Sequence, residues 1–127
     1  MPMSSAQRRK VRERAANCCE YCSLDQADFP FAQFHIEHII ARQHGGKDEL
    51  SNICLSCHWC NLQKGPNIAT LVDGELIPLF HPRRHRWNEH FKRNGEIIEG
   101  ITAIGRGTVS LLKMNDEDRC QIRAASG

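Results

Sequence analysis

Aromatic side chains are scarce in this chain: phenylalanine, tyrosine and tryptophan make up 6% of its 127 residues, which is thin for packing a core. A length that suits one domain leaves little room for a large core, so something must supplement it. Long apolar runs are missing too. No stretch approaches the roughly 18 apolar residues of a membrane span, and residues 1–16 lack the apolar middle of a secretory signal. The expectation is a cytoplasmic protein with no membrane partner. Internal repeats, low-complexity tracts and a second-domain linker are also absent. The net charge of +2 is too small to establish a polyanionic partner by itself. What remains, with 40% hydrophobic and 25% charged residues, is the composition of a globular protein.

Cysteine is the residue in surplus, and its number, seven, is odd. Cys19-x-x-Cys22 and Cys57-x-x-Cys60 have the spacing of zinc ligands, and four thiolates can hold one zinc ion. A disulfide framework is the weaker reading of such spacing in a reducing compartment. A zinc site would supplement the thin core, since such sites contribute roughly 10–16 kcal/mol to the folding of small peptides. The 34 residues between Cys22 and Cys57 exceed the gap of a simple zinc ribbon and leave room for a β-hairpin between two knuckles. Pairing stays open in two respects: Cys54 and Cys57 form an alternative C-x-x-C, and Cys18 could replace Cys19. Charge is also unevenly spread. Arg8, Arg9, Lys10, Arg12 and Arg14 cluster near the start, and Arg83, Arg84 and Arg86 come later. Such runs suit phosphates, or are the solvated face of an ordinary helix.

Local signals predict an α+β protein. Ser4 or Ser5 caps a basic helix over 4–16 that ends at Asn17. A tight knuckle at Cys18–Cys22 and an acidic loop over 23–30 come next. Phe34, Ile36, Ile39 and Ile40 suit a strand of a hairpin, and Gly45-Gly46 marks a turn. A short helix from Cys57 to Lys64 is closed by Gly65 and Pro66. Beyond it the pattern weakens, with a strand or turn over 71–79, an extended piece over 96–101, a helix near 108–113 and a last helix capped around Asn115.

The run Phe34-His35-Ile36-Glu37-His38-Ile39-Ile40, then Gly45-Gly46, Asn52-Ile53 and Cys57-His58-Trp59-Cys60-Asn61-Leu62-Gln63-Lys64-Gly65 resembles the HNH endonucleases. The text Pro78-Leu79-Phe80-His81-Pro82-Arg83-Arg84 to Phe91 is similar to an extension of small stand-alone bacterial members. The resemblance implies a single domain with a ββα-metal (His-Me finger) core at about 17–66, the N-terminal basic helix, and a C-terminal extension over 67–127. Two departures stand out: Glu37 replaces a frequent aspartate, and Asn61 stands where the final histidine gives the family its name.

The chemistry that the resemblance implies is hydrolysis of DNA phosphodiesters, with duplex DNA as partner and the protein a monomer or weak dimer. His38 is expected as general base, because a neutral imidazole can accept a proton from water near pH 7. Glu37 and Asn61 are expected to hold a catalytic Mg²⁺ or Mn²⁺ through oxygen, separate from the structural zinc on Cys19, Cys22, Cys57 and Cys60. Asn52 is expected to order the loop and Lys64 to contact a substrate phosphate. In a regular strand Glu37 and His38 face opposite sides, so a bulge or twist is required. His35 shares a side with Glu37; like His44, His58, His81, His85 and His90, its plain reading is structural. Trp59, Trp87 and Phe91 read as core, and Cys18, Cys54 and Cys120 as free or buried thiols. The alternatives are a zinc-stabilised nucleic-acid-binding module that does not cut and a zinc scaffold for protein contacts.

Overall fold

The computed structural model describes residues 3–126. Helix α1 (Ser5–Arg14) opens with a capping box in which the Ser4 hydroxyl accepts from the Gln7 amide and the Gln7 side chain answers the Ser4 amide. The helix stops at Ala15, two residues short of the expected Asn17, because Ala16 and Asn17 turn the chain at positive φ. Val11 is its buried anchor. Arg12 donates to the Phe34 carbonyl at 3.3 Å, and Arg14 donates to those of Leu50 and Ile53 at 2.8 and 2.6 Å. Part of the basic run therefore pins the helix to the chain around Phe34 and Ile53, while Arg8, Arg9 and Lys10 stay exposed.

Strands β1 (His35–His38) and β2 (Ile53–Ser56) pair antiparallel in unbroken register, with His35 opposite Ser56 and His38 opposite Ile53. Helix α2 (His58–Lys64) begins directly after β2, its N-cap being Cys57, and ends at Gly65 with φ of 51°. This is a ββα unit stapled by cysteines, the α+β core expected.

The extension contributes two further hairpins. One is β3 (Ala69–Val72) with β4 (Glu75–Pro78), covering the expected strand or turn; the other is β5 (Phe91–Asn94) with β6 (Ile97–Gly100). Sequence reading found only the β6 half of the second, because Lys92, Arg93 and Asn94 on β5 are exposed and carry no apolar alternation. A single helical turn, α3 (Trp87–His90), precedes it. Helix α4 (Ala103–Leu111) begins earlier than the expected 108–113, since Gly105 and Gly107 disguise it. The glycine at 105 is a packing requirement: a Cβ there would lie 1.9 Å from the His90 carbonyl oxygen. The last helix, α5 (Glu117–Ser126), is as expected.

Aromatic contacts tie the extension to the core. Phe80 packs edge-on against Tyr21 and Phe91, and the Trp87 indole donates to the Tyr21 carbonyl at 2.7 Å. The Arg83 guanidinium pairs with Glu20, whose other carboxylate oxygen accepts from the Leu55 amide. Among the described residues, no helix is long and apolar enough to cross a membrane.

Candidate active site

The two knuckles meet. The sulfurs of Cys19, Cys22, Cys57 and Cys60 all lie within 4.8 Å of one another and all four residues are buried, which resolves the pairing in favour of Cys19 and Cys60 over Cys18 and Cys54. None of the seven cysteines forms a disulfide. Each knuckle aims an amide at sulfur: Cys22 N–H at Cys19 Sγ over 3.5 Å, and Cys60 N–H at Cys57 Sγ over 3.4 Å. The arrangement matches a tetrahedral S₄ zinc site. Burial first, then the neighbouring sulfurs, drives the Cys19 and Cys60 thiols well above their usual pKa, whereas hydrogen bonds from those sulfurs pull Cys22 below its own, so a cation is what makes four thiolates tenable together.

Arg119, distant in sequence, completes this centre. Fully buried, it donates to Cys60 Sγ at 3.0 Å and to the Leu112 and Lys113 carbonyls, with its guanidinium 5.9 Å from the Trp59 ring. A zinc tetrathiolate carries two negative charges, and Arg119 sits where one positive charge offsets them. Its only sequence signal was an arginine inside a helix pattern, which usually means a solvated face.

Glu37 faces α2. Its cross-strand neighbour is Cys54, whose thiol lies 3.9 Å from the carboxylate, while the Ser56 hydroxyl donates to the Cys57 carbonyl at 3.2 Å. At 9% exposure the carboxyl is desolvated, which pushes its pKa up to about 7 despite the opposing pull of the Lys64 ammonium. A buried carboxylate served by weak donors is the kind of group that a divalent cation compensates. Asn61 lies on α2 one turn before Lys64, half-buried, so its helix face neighbours that of the lysine beside Glu37. A carboxylate and an amide oxygen are hard donors, the type that Mg²⁺ and Mn²⁺ prefer.

Lys64 does not have the expected position for a phosphate contact. Its side chain is 1% exposed and Nζ donates to the Ile39 carbonyl at 2.8 Å, which ties the end of α2 to the chain just after β1. The correction is physical: its ammonium is spent inside the protein, between a carbonyl and the Glu37 carboxyl.

His38 ends β1 on the opposite face from Glu37, and the required bulge is absent, the register being regular to its last pair. Instead the imidazole turns to the loop after β1, where its Nε2 lies 2.5 Å from Asp48 Oδ1, both side chains being about a fifth exposed. Asp48 in turn binds Arg42 at 2.7 Å, and these two partners, His38 first, hold its carboxyl below the ordinary range. In the neutral ring, an ionised Asp48 accepts from Nε2–H of His38 and Nδ1 is the acceptor. Sequence reading missed Asp48.

Asn52 shapes that loop. Its side-chain oxygen accepts from the Ile40 amide at 2.9 Å, while its nitrogen donates to the Ile40 and Lys47 carbonyls at 2.9 and 3.0 Å. Gly46 packs beneath, where a Cβ would come within 1.7 Å of the Ile40 oxygen. Replacing Asn52 with Ala orphans three backbone groups, and at about 1 kcal/mol per lost bond the cost is about 3 kcal/mol. Urea titration of the variant should give that loss; less than about 1 kcal/mol would show that the loop closes without it.

His35 is exposed, its ring centroid 6.1 Å from that of His58. Phe91 is buried, and Trp59 and Trp87 pack partly buried against the core.

Residues 19–67 match the family model of the HNH endonucleases. The matched segment runs from the first knuckle through β1, β2 and α2, so it spans every residue of both clusters except Arg119. No curated protein and no solved structure matches the chain.

Proposed function

Because residues 19–67 are an HNH endonuclease domain, we propose that this protein is a metal-dependent DNA endonuclease that hydrolyses phosphodiester bonds. The observation that supports the proposal is the His38–Asp48 pair, in which a carboxylate orients the imidazole at the end of β1. His38 is the general base: with Nε2–H held by Asp48, Nδ1 takes the proton of the attacking water. Glu37 and Asn61 hold one divalent cation through oxygen. When bound, that ion supplies Lewis-acid stabilisation of the phosphate and of the leaving 3′ oxygen. Asn52 positions the loop that carries Asp48. The sulfur cluster holds a structural zinc ion and takes no part in the chemistry.

Nothing in the sequence forms a recognisable helix-turn-helix or finger array that reads bases, so cleavage is expected to show weak sequence preference. A single copy would nick duplex DNA, and a double-strand break would take two. Supercoiled plasmid incubated with zinc-loaded protein and Mg²⁺, Mn²⁺ or Ca²⁺ added singly tests the proposal. Open-circular product with Mg²⁺ or Mn²⁺ supports it; intact plasmid together with salt-dependent DNA binding favours the non-cleaving binding module instead.

Asp48 has its own consequence. Substituting Ala frees the imidazole to rotate and change tautomer, so kcat should fall roughly 10- to 100-fold, the scale for partners that orient a catalytic group. Asp48→Asn, whose amide oxygen still accepts from Nε2–H, should recover part of that loss, with KM unchanged in both. Equal rates for Asp48→Ala and the parent enzyme would remove the orienting role.

A further inference from the structure

The extension closes a second cleft against the chain just beyond the proposed base. Its volume is about 320 Å³, at the lower end of the range of small-molecule sites. Ile39 and Ile40, which come directly after His38, and Phe80 from the extension give it apolar walls, and Ile68 stands at its mouth, 44% exposed. The polar side chains that line it alongside Lys64 are His81, Arg84 and His85, and no carboxylate does.

The two histidines present a fixed chemistry. The His81 amide donates to Nδ1 of His85 at 2.9 Å, and the Arg83 amide donates to Nδ1 of His81 at 3.2 Å. With Nδ1 occupied as acceptor, each neutral ring must carry its hydrogen on Nε2. Burial keeps both rings neutral, lowering the pKa of His81 to about 4 and that of His85 in the same direction. The extension thus offers the cleft two imidazole N–H groups and a guanidinium, donors without a matching acceptor. The complement is a flat, acceptor-rich ring that carries an anion.

A neighbouring cleft of about 410 Å³ shares Ile40, His81 and Arg84 with the first and continues past Lys47, Glu49 and Arg83, the last paired with Glu20, along the loop held by Asn52. The pair forms a trough on which a chain of units, rather than one small molecule, can lie.

We propose that this trough takes single-stranded nucleic acid, one nucleotide seated between Ile40 and Phe80 with its base edge on His81 and His85 and its phosphate on Arg84. The inference rests on the nuclease reading for its choice of ligand, and it assigns the extension a role in gripping the strand next to the cut. Base edges are rich in carbonyl and ring-nitrogen acceptors, and a guanidinium suits phosphate geometry. Substrates with a frayed or single-stranded segment beside the scissile bond would be preferred to uniform duplex.

The test is NMR titration of the zinc-loaded full chain, without added divalent ion, monitoring the His81 and His85 imidazole resonances. Three probes are compared: inorganic phosphate, thymidine monophosphate and a five-nucleotide oligothymidylate. The expected result is that both nucleotide probes shift these rings and phosphate does not, with the oligomer at least about tenfold tighter, or 1.4 kcal/mol. Ile68→Trp, which fills the mouth, should weaken the oligomer about tenfold or more with zinc content unchanged, and Arg84→Ala, an exposed site, should weaken it severalfold. Equal shifts from phosphate, or an Ile68→Trp variant that binds like the parent, would overturn the proposal. A mononucleotide that binds as tightly as the oligomer would overturn the strand path and mark a free-nucleotide site. Plasmid nicking is scored separately. Nicking without ring shifts sinks only this inference, whereas ring shifts without nicking sink the nuclease reading and leave the strand site standing.

Discussion

Stripping zinc with a strong chelator should abolish the folded state, and Cys60→Ser should be unable to recover it. The four thiols sit at the junction of both knuckles, β2 and α2, and all are buried. A structural zinc site contributes roughly 10–16 kcal/mol in small peptides, against a total stability of about 5–15 kcal/mol for a typical domain. The site is therefore comparable to the whole net stability of such a domain. Loss of Cys60 also takes away the sulfur that Arg119 binds, the bond that ties α5 to α2, while the guanidinium keeps Asp116 and the Leu112 carbonyl. Near-UV circular dichroism and native mass spectrometry should show one zinc per chain and loss of tertiary signal on chelation. A chelated protein that melts cooperatively at its original temperature would show that the cluster is not the staple.

His38→Ala should have the largest effect on chemistry while leaving the fold alone. A positioned general base typically contributes about 10²–10⁴-fold, so the plasmid-nicking rate should fall by that factor. The imidazole is about one-fifth exposed and, among the described residues, its hydrogen-bond partner is Asp48. Stability should thus change by no more than about 1 kcal/mol. Matched thermal melts separate the two effects. A variant that nicks at the parental rate would remove His38 from the reaction.

Much of the core could be read from sequence because its signals are local. Two C-x-x-C pairs, a glycine-proline stop after Lys64 and alternating apolar residues around Glu37 each constrain a few neighbouring residues, and the ββα unit is built from such neighbours. Asp48 and Arg119 escaped for the opposite reason. Asp48 acquires its role only when the Asn52-bound loop folds back on His38, and Arg119 only when α5 packs against a cysteine 59 positions earlier. Lys64 misled because a cation on a helix is ordinarily solvated, and nothing local announces that Ile39 offers it a buried carbonyl. The bulge expected between Glu37 and His38 was inferred from strand alternation. The chain keeps that alternation and lets His38 turn to the loop instead.

The central claim is that a second, oxygen-lined ion site exists beside His38, separate from the sulfur-lined one. Its direct test is a Mn²⁺ titration of zinc-loaded protein monitored by the electron paramagnetic resonance of free Mn²⁺, comparing the parent with Glu37→Gln. The account predicts one Mn²⁺ bound per chain in the parent and an affinity lower by about tenfold or more in Glu37→Gln, as expected when a ligating carboxylate becomes an amide. Equal binding by the two proteins, or a parent that cuts DNA without taking up Mn²⁺ or Mg²⁺, would contradict it.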